Sequence, residues 1–167
     1  MLQALPGTVR GCLSLILYAL NTVFWCIPLF VLAAAKAAVP LESWMQRCSR
    51  MLNAIAENWI WVNNQNQKLI GNTHWDVQGT NILERSQWYL VLANHQSWVD
   101  VLVLQRIFHR KIPFLKFFIK KELIWLPILG LAWWAMDFPF VKRYTRGYLN
   151  KKPHLKGKDI EITRRAC

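Results

Sequence analysis

The central part of the chain contains the clearest prediction of its fold, in the stretch Trp88-Tyr89-Leu90-Val91-Leu92-Ala93-Asn94-His95-Gln96-Ser97-Trp98-Val99-Asp100. Its first part, Trp88 to Ala93, is apolar throughout, which is typical of a strand that is buried on both faces of an α/β sheet. Ser97 stands where a helix N-cap residue is expected, because a helical pattern of apolar residues follows it. The stretch therefore predicts a strand, a short polar loop and a helix. On this basis we expect an α/β fold.

His95 and Asp100 have the spacing of a catalytic pair, in which the carboxylate holds the imidazole in one tautomer while the imidazole acts as general base. Residues five apart on one helix differ by about 140° in rotation, so such a pair requires His95 to precede the helix. A second interpretation stays open. Ser97-x-x-Asp100 also has the pattern of a capping box, worth about 1 kcal/mol, and His95 would then be an ordinary loop histidine.

The spacing alone is weak support for catalysis. With 4 His among 167 residues and a similar number of Asp, a chance His-x4-Asp match is expected about one time in ten. The chain contains a second match, His154 and Asp159, in a basic stretch that no apolar strand precedes. We interpret the second match as a coincidence.

The N-terminal part of the chain has the composition of a membrane anchor. No charged residue occurs from Gly11 to Ala35, and a run of this length can cross a bilayer. A signal peptide is the competing interpretation, but its apolar region is usually shorter. Asn21 and Pro28 either kink one spanning helix or divide the run into a helical hairpin. The sequence leaves both arrangements open.

Two further regions follow the predicted anchor. Apolar residues recur at steps of three and four from Leu41 to Leu69, which predicts an amphipathic helix at the membrane interface or on the domain core. After Gly71 the pattern changes to short extended runs. The predicted strands are His74–Val77, Trp88–Ala93, Pro113–Ile119 and Phe138–Val141, and Glu122–Ala135 is a predicted helix interrupted at Pro127. We therefore expect an anchor over 1–40, a linker helix over 41–70 and an α/β domain over 71–167.

Composition and charge favour a lipid surface as partner. The chain is 54% hydrophobic, contains 10 Trp and has a formal net charge of +12. From Arg106 to the end, 15 Lys and Arg stand against 4 acids, which attracts anionic lipid, coenzyme A-like molecules or nucleic acid. The adjacent apolar anchor favours lipid, and we expect no nucleic acid. The 4 Cys form no metal-ligand pattern, so we expect reduced thiols and no metal site.

Several segments together resemble the glycerolipid acyltransferase family, often called PlsC-like. The matching segments are Asn94-His95-x4-Asp100 after an apolar run, Lys121-Glu122-Leu123 with Pro127 and Gly130, and Phe140-Val141-Lys142-Arg143. Phe118 to Gly130 and Trp134 to Tyr148 look closest to the bacterial YihG-like subgroup. The family's third and fourth motif blocks do not occur. The resemblance therefore implies an incomplete acyltransferase α/β domain with a mixed sheet.

The resemblance also implies roles for individual residues. His95 would be the general base that takes a proton from a lysophospholipid hydroxyl, and Asp100 would orient and charge it. Asn94 and Ser97 would shape the loop. Arg143 would hold the phosphate of the acceptor, with Lys121 assisting.

The implied reaction is acyl transfer from acyl-CoA or acyl carrier protein to lysophosphatidate or a related lysophospholipid, with no metal and no cofactor. Because the positive charge follows the apolar run, we expect the domain to face the cytoplasm from a bacterial inner membrane. The alternative is a non-catalytic or inactive membrane protein whose basic tail binds anionic lipid or nucleic acid.

Overall fold

The structure is a computed structural model that describes residues 6–70, 73–94, 96–142, 150, 157, 160, 161, 163 and 164. The chain divides into two compact units, Met1–Leu115 and Lys116–Cys167. The basic tail after residue 150 lies almost entirely outside the described residues, as do both members of the second His-x4-Asp match.

Two long helices, α1 (Gly7–Ala38) and α2 (Glu42–Ile70), form a hairpin in the first unit. Helix α1 continues through Asn21 and Pro28, so the apolar run is not divided into a hairpin of its own. The predicted amphipathic helix is confirmed as α2, which returns along α1 after a turn of three residues.

A polar seam joins the two helices of the hairpin. The Nδ2 of Asn21 donates to the Oδ1 of Asn63 at 2.8 Å and to the backbone oxygen of Trp59 at 3.0 Å. Nearer the start of α1, the Nδ2 of Asn66 donates to the backbone and hydroxyl oxygens of Ser14, both at 3.2 Å. Buried amides need such partners, because an unpaired one costs about 1–3 kcal/mol. Asn21 is therefore an interhelical contact.

Helix α2 is the central element of the first unit. On the side away from α1 it contacts the loop that carries Arg85 and the helix α3 (Trp98–Phe108). The Nη2 of Arg85 lies 2.6 Å from the Oε1 of Glu57, and the Nε2 of His109 lies 3.0 Å from the backbone oxygen of the same glutamate. Helix α1 keeps an apolar outer face. Its exposed side chains include those of Leu15, Ile16, Leu20, Val23, Phe24, Ile27 and Val31.

The prediction of a buried strand at Trp88–Ala93 is wrong. These residues form no strand and pair with none, and Trp88 is 92% exposed while Leu92 is 86% exposed. A strand requires a neighbour that satisfies its backbone N–H and C=O groups, and the described part of the first unit provides none. The weak strand predicted at His74–Val77 is also absent there. Apolar composition indicated burial but gave no information about a pairing partner.

The second unit contains a parallel two-stranded sheet of β1 (Ile119–Lys120) and β2 (Phe140–Val141), in which Ile119 lies opposite Phe140. The strand predicted at 138–141 is thus present but shorter, whereas the strand predicted at 113–119 coincides with β1 only at Ile119. The predicted mixed sheet is not seen among the described residues, whose sheet is parallel.

Between the two strands lie a 3₁₀ helix, Lys121–Trp125, and the short helix α4, Leu129–Ala135. The interruption predicted at Pro127 is confirmed. The residue after this proline, Ile128, has φ 66° and ψ −59°, and the N–H of Leu129 donates to the oxygen of Pro127 at 2.7 Å. This is a γ-turn of the strained type.

Gly130 allows the 3₁₀ helix and α4 to approach each other closely. A Cβ atom at this position would lie 2.1 Å from the backbone oxygen of Ile124 and 2.8 Å from that of Leu123. Any side chain would therefore force the two elements apart, and the sequence Pro127 to Gly130 fixes a tight corner in the second unit.

Candidate active site

The turn into α3 is held by reciprocal side-chain hydrogen bonds. Ser97 is the N-cap residue in extended conformation, and its hydroxyl accepts from the N–H of Val99 at 3.2 Å. The Oδ2 of Asp100 accepts from the N–H of Gln96 at 2.6 Å and from that of Ser97 at 2.7 Å. The capping box that the sequence predicted is therefore formed. A carboxylate in the first turn also interacts favourably with the positive end of the helix dipole.

Asp100 folds back onto the loop that carries the predicted base. The two amides that it binds belong to the residues directly after His95, which itself lies outside the described residues. The neighbours Asn94 and Gln96 are exposed to solvent. The Asp100 carboxylate therefore faces back toward this loop, whereas the contact between base and carboxylate stays a prediction.

The predicted phosphate-binding residues belong to the second unit. Lys121 is the first residue of the 3₁₀ helix, and its side chain is exposed. Arg143 lies outside the described residues. The roles of Lys121 and Arg143 therefore stay predictions.

A cleft of about 420 Å³ lies beside the start of α3 in the first unit. Helix α3 contributes three apolar side chains, Val99, Leu102 and Val103. Other parts of the cleft are lined by Tyr18 of α1 and by Trp75 of the loop that follows α2. Ligand pockets in proteins typically have volumes of about 300–1,000 Å³ and mostly apolar walls. The cleft thus has the size and lining of a site for an apolar ligand, on the helix whose first turn carries Asp100.

Two arginines add positive charge to this region. Arg10 lines the cleft, where its Nη1 donates to the backbone oxygen of Ile70 at 3.4 Å and its buried Nε has no hydrogen-bond partner among the described residues. Arg106 stacks over the ring of Trp75 at 4.4 Å from the centroid and donates to the Oε1 of Gln67 at 3.1 Å. Sequence reasoning missed both residues, since neither lies in a motif. For Arg10 the sequence offered one signal, its position directly before the uncharged run Gly11 to Ala35.

His109 is a partly buried ionisable group of the first unit. Burial lowers the pKa of His109, and the hydrogen bond to the backbone of Glu57 opposes this effect only in part. Glu57 is 8% exposed and forms an ion pair with Arg85. No group of three or more His, Cys, Asp or Glu side chains suited to a metal ion occurs in the described part of the chain.

Comparison with known proteins identifies the family. A family model described as Acyltransferase matches residues 74–160. The 1-acyl-sn-glycerol-3-phosphate acyltransferase alpha of Homo sapiens is 34% identical over 73 residues, which are 43% of this chain and 24% of the human protein. The protein of the same name in Bos taurus gives the same identity and coverage, and that of Mus musculus is 33% identical over 73 residues.

The matched segment covers about a quarter of the length of these curated relatives. No solved structure gives a significant match. The family match includes the loop from Asn94 to Ser97 and the whole of α3, and it extends over about half of the chain. The chain therefore belongs to the acyltransferase family.

Proposed function

We propose that this chain transfers an acyl group from an acyl thioester to the free hydroxyl of lysophosphatidate or a related lysophospholipid. The observation that carries the proposal is the position of the Asp100 carboxylate, which binds the amides of Gln96 and Ser97 directly after His95. The name of the mammalian relatives, 1-acyl-sn-glycerol-3-phosphate acyltransferase alpha, supports this choice of acceptor.

In the proposed reaction the imidazole of His95 removes the proton of the acceptor hydroxyl. The hydroxyl oxygen attacks the thioester carbonyl, and an ester bond forms as the carbon–sulfur bond breaks. The leaving thiolate then takes this proton from the protonated imidazole. Asp100 positions the loop through its two backbone hydrogen bonds, while Arg143 and Lys121 hold the acceptor's phosphate by charge-assisted hydrogen bonds. Either acyl-CoA or acyl carrier protein serves as donor, and no metal or cofactor takes part.

The cleft beside α3 is the proposed place for an acyl chain. It is lined by apolar side chains of the same helix that begins at the catalytic loop. A chain held there would lie close to the reacting carbonyl without crossing water, which favours the reactive geometry. Arg10 at this cleft suits the negative charge of a phospholipid headgroup.

The membrane is the proposed location of the reaction. Among the described residues, α1 is the one helix that is long and apolar enough to cross a bilayer by length and composition. Its outer face exposes large apolar side chains, whereas α2 covers its inner face. We therefore favour a hairpin whose outer face lies in the lipid, on the cytoplasmic side of a bacterial inner membrane. Membership in the YihG-like subgroup is part of the same proposal.

The test is acyl transfer by the full-length protein in membranes, with a labelled acyl-CoA and lysophosphatidate. Removal of a general base typically lowers a rate by about 10²–10⁴-fold, so His95→Ala should lose that much activity. The second pair in the chain provides matched controls with the same spacing. His154→Ala and Asp159→Asn should keep the normal rate.

Normal transfer by His95→Ala would overturn the proposed chemistry. Unchanged binding to anionic vesicles that weakens steeply with salt would then favour the non-catalytic alternative, because electrostatic binding is screened by salt. Loss of activity in both His95→Ala and His154→Ala would also contradict the assignment of His95 as the single base.

A further inference from the structure

The second unit contains an uncharged apolar segment that the proposed chemistry does not use. No charged residue occurs from Leu123 to Met136, whereas Lys120, Lys121 and Glu122 precede the segment and Asp137 follows it. A bilayer span requires about 20 residues, and a shorter apolar run is typical of a buried core helix or of a segment in the membrane interface. The exposure of the side chains distinguishes these two.

The segment exposes its large apolar side chains. Trp125 is 86% exposed, and Trp134 is 61% exposed. The other exposed members are Leu126, Ile128 and Leu131. In α4, Leu131 and Trp134 are three positions apart and so lie on one face, while the small residues Ala132 and Ala135 are buried. The segment is therefore not a buried core helix within its unit.

The corner of the segment holds an apolar side chain outward at a cost. Ile128 has φ 66°, a value that is rare for a β-branched residue and costs about 1–3 kcal/mol. Gly130 fits so closely against the backbone of Ile124 that the corner is confined. In water 43% of the isoleucine surface stays exposed, so its burial offsets this strain only in part. In lipid the same side chain would be buried, and this burial would offset the backbone strain at the corner.

We propose that the tryptophan turn, defined as Trp125–Trp134, inserts into the headgroup and upper acyl region of a lipid bilayer as a membrane contact separate from α1. Tryptophan is enriched at this depth because its ring is apolar while its N–H can donate. Lys120 and Lys121 are exposed next to the turn and suit anionic headgroups, although Glu122 offsets part of their charge. Apolar burial therefore supplies most of the binding, with a smaller electrostatic part.

The experiment measures the depth of one tryptophan in the full chain. The protein is reconstituted into phosphatidylcholine and phosphatidylglycerol vesicles whose acyl chains carry bromine, a quencher of tryptophan fluorescence. The emission of Trp125 is the difference between the wild type and Trp125→Phe. The matched control is Trp88→Phe, because Trp88 is 92% exposed in the first unit and belongs to no proposed lipid contact.

The expected result is that the emission of Trp125 loses most of its intensity in brominated vesicles and resists aqueous iodide, while that of Trp88 behaves in the opposite way. Ile128→Asp provides a second variant, since a charged corner should leave the lipid and reduce the quenching of Trp125 by bromine. Trp125 quenched by iodide alone would overturn the proposal. Protection from both quenchers would also overturn it, because protein would then cover the turn. Neither the bromine quenching nor the iodide quenching depends on acyl transfer.

Discussion

At the scale of single residues, Asp100 has a structural role that any test of its chemistry must separate from catalysis. Its carboxylate accepts from two backbone amides and completes the capping box of α3. Removal of such a cap costs about 0.5–2 kcal/mol. A variant that lacks the carboxylate would thus loosen both the helix and the loop of His95, and activity has to be compared with the free energy of unfolding.

His109 makes the stability of the first unit depend on pH. Burial lowers the pKa of His109 in the folded protein. At pH values between this lowered pKa and the ordinary pKa of about 6.5, the unfolded chain therefore binds more protons than the folded protein. The free energy of unfolding should therefore decrease as the pH falls below about 6.5, and His109→Gln should reduce this decrease. Denaturant titrations of the protein in detergent between neutral pH and pH about 5 measure both slopes. His74→Gln is the control, because His74 is exposed. An unchanged slope in His109→Gln would contradict the prediction.

At the scale of elements, helices were predicted better than strands. The positions of α2 followed from apolar residues at steps of three and four, a local pattern that a helix satisfies with its own hydrogen bonds. The strand predicted at Trp88–Ala93 required a second strand as pairing partner, and the local sequence pattern contains no information about such a partner. The capping box could also be predicted, because Ser97 and Asp100 interact within one turn. The amide pair of Asn21 and Asn63 could not, since it joins positions that only the hairpin brings together.

The corner at Gly130 gives a prediction at this scale. In Gly130→Ala the new Cβ would meet the backbone oxygen of Ile124 at 2.1 Å, so α4 must move away from the 3₁₀ helix. We expect the free energy of unfolding to fall by about 1–3 kcal/mol, as in other overpacked sites. Thermal unfolding followed by near-ultraviolet circular dichroism measures the change. Gly11→Ala is the control, since a Cβ there has no neighbour within 4 Å and alanine favours a helix by about 1 kcal/mol. Equal melting of Gly130→Ala and wild type would show that the corner is not confined.

At the scale of the whole chain, the two proposed lipid contacts and the proposed catalytic loop are distributed over two units. The apolar outer face of α1 belongs to the first unit together with Asp100, and the tryptophan turn belongs to the second. The presence of an apolar N-terminal helix could be predicted from uncharged length alone. Its arrangement could not, because the choice between a spanning helix and a hairpin depends on what packs against the helix.

The packing of α2 against α1 argues against a lone spanning helix. Asn21, near the middle of α1, binds α2 at Trp59 and Asn63, and one turn away Glu57 contacts Arg85. A bilayer that surrounded the middle of α1 would have to enclose this ion pair, although ionised groups at the bilayer centre cost about 2.5–3.5 kcal/mol each on insertion scales. In the proposed membrane location, lipid would therefore contact α1 only at its outer face.

This argument predicts the accessibility of the turn between α1 and α2. The experiment uses a chain whose native cysteines are replaced, with a single new cysteine at Val39→Cys. This cysteine should react with a membrane-impermeant maleimide only after the membrane is opened. The control is Thr73→Cys on the domain side, which is exposed and should behave in the same way. The reason is that a hairpin embedded by its outer face keeps its turn on the side of the catalytic domain. Labelling of Val39→Cys in intact cells, with Thr73→Cys still protected, would show that α1 crosses the bilayer. Protection of both sites until the membrane is opened would support a hairpin in one leaflet.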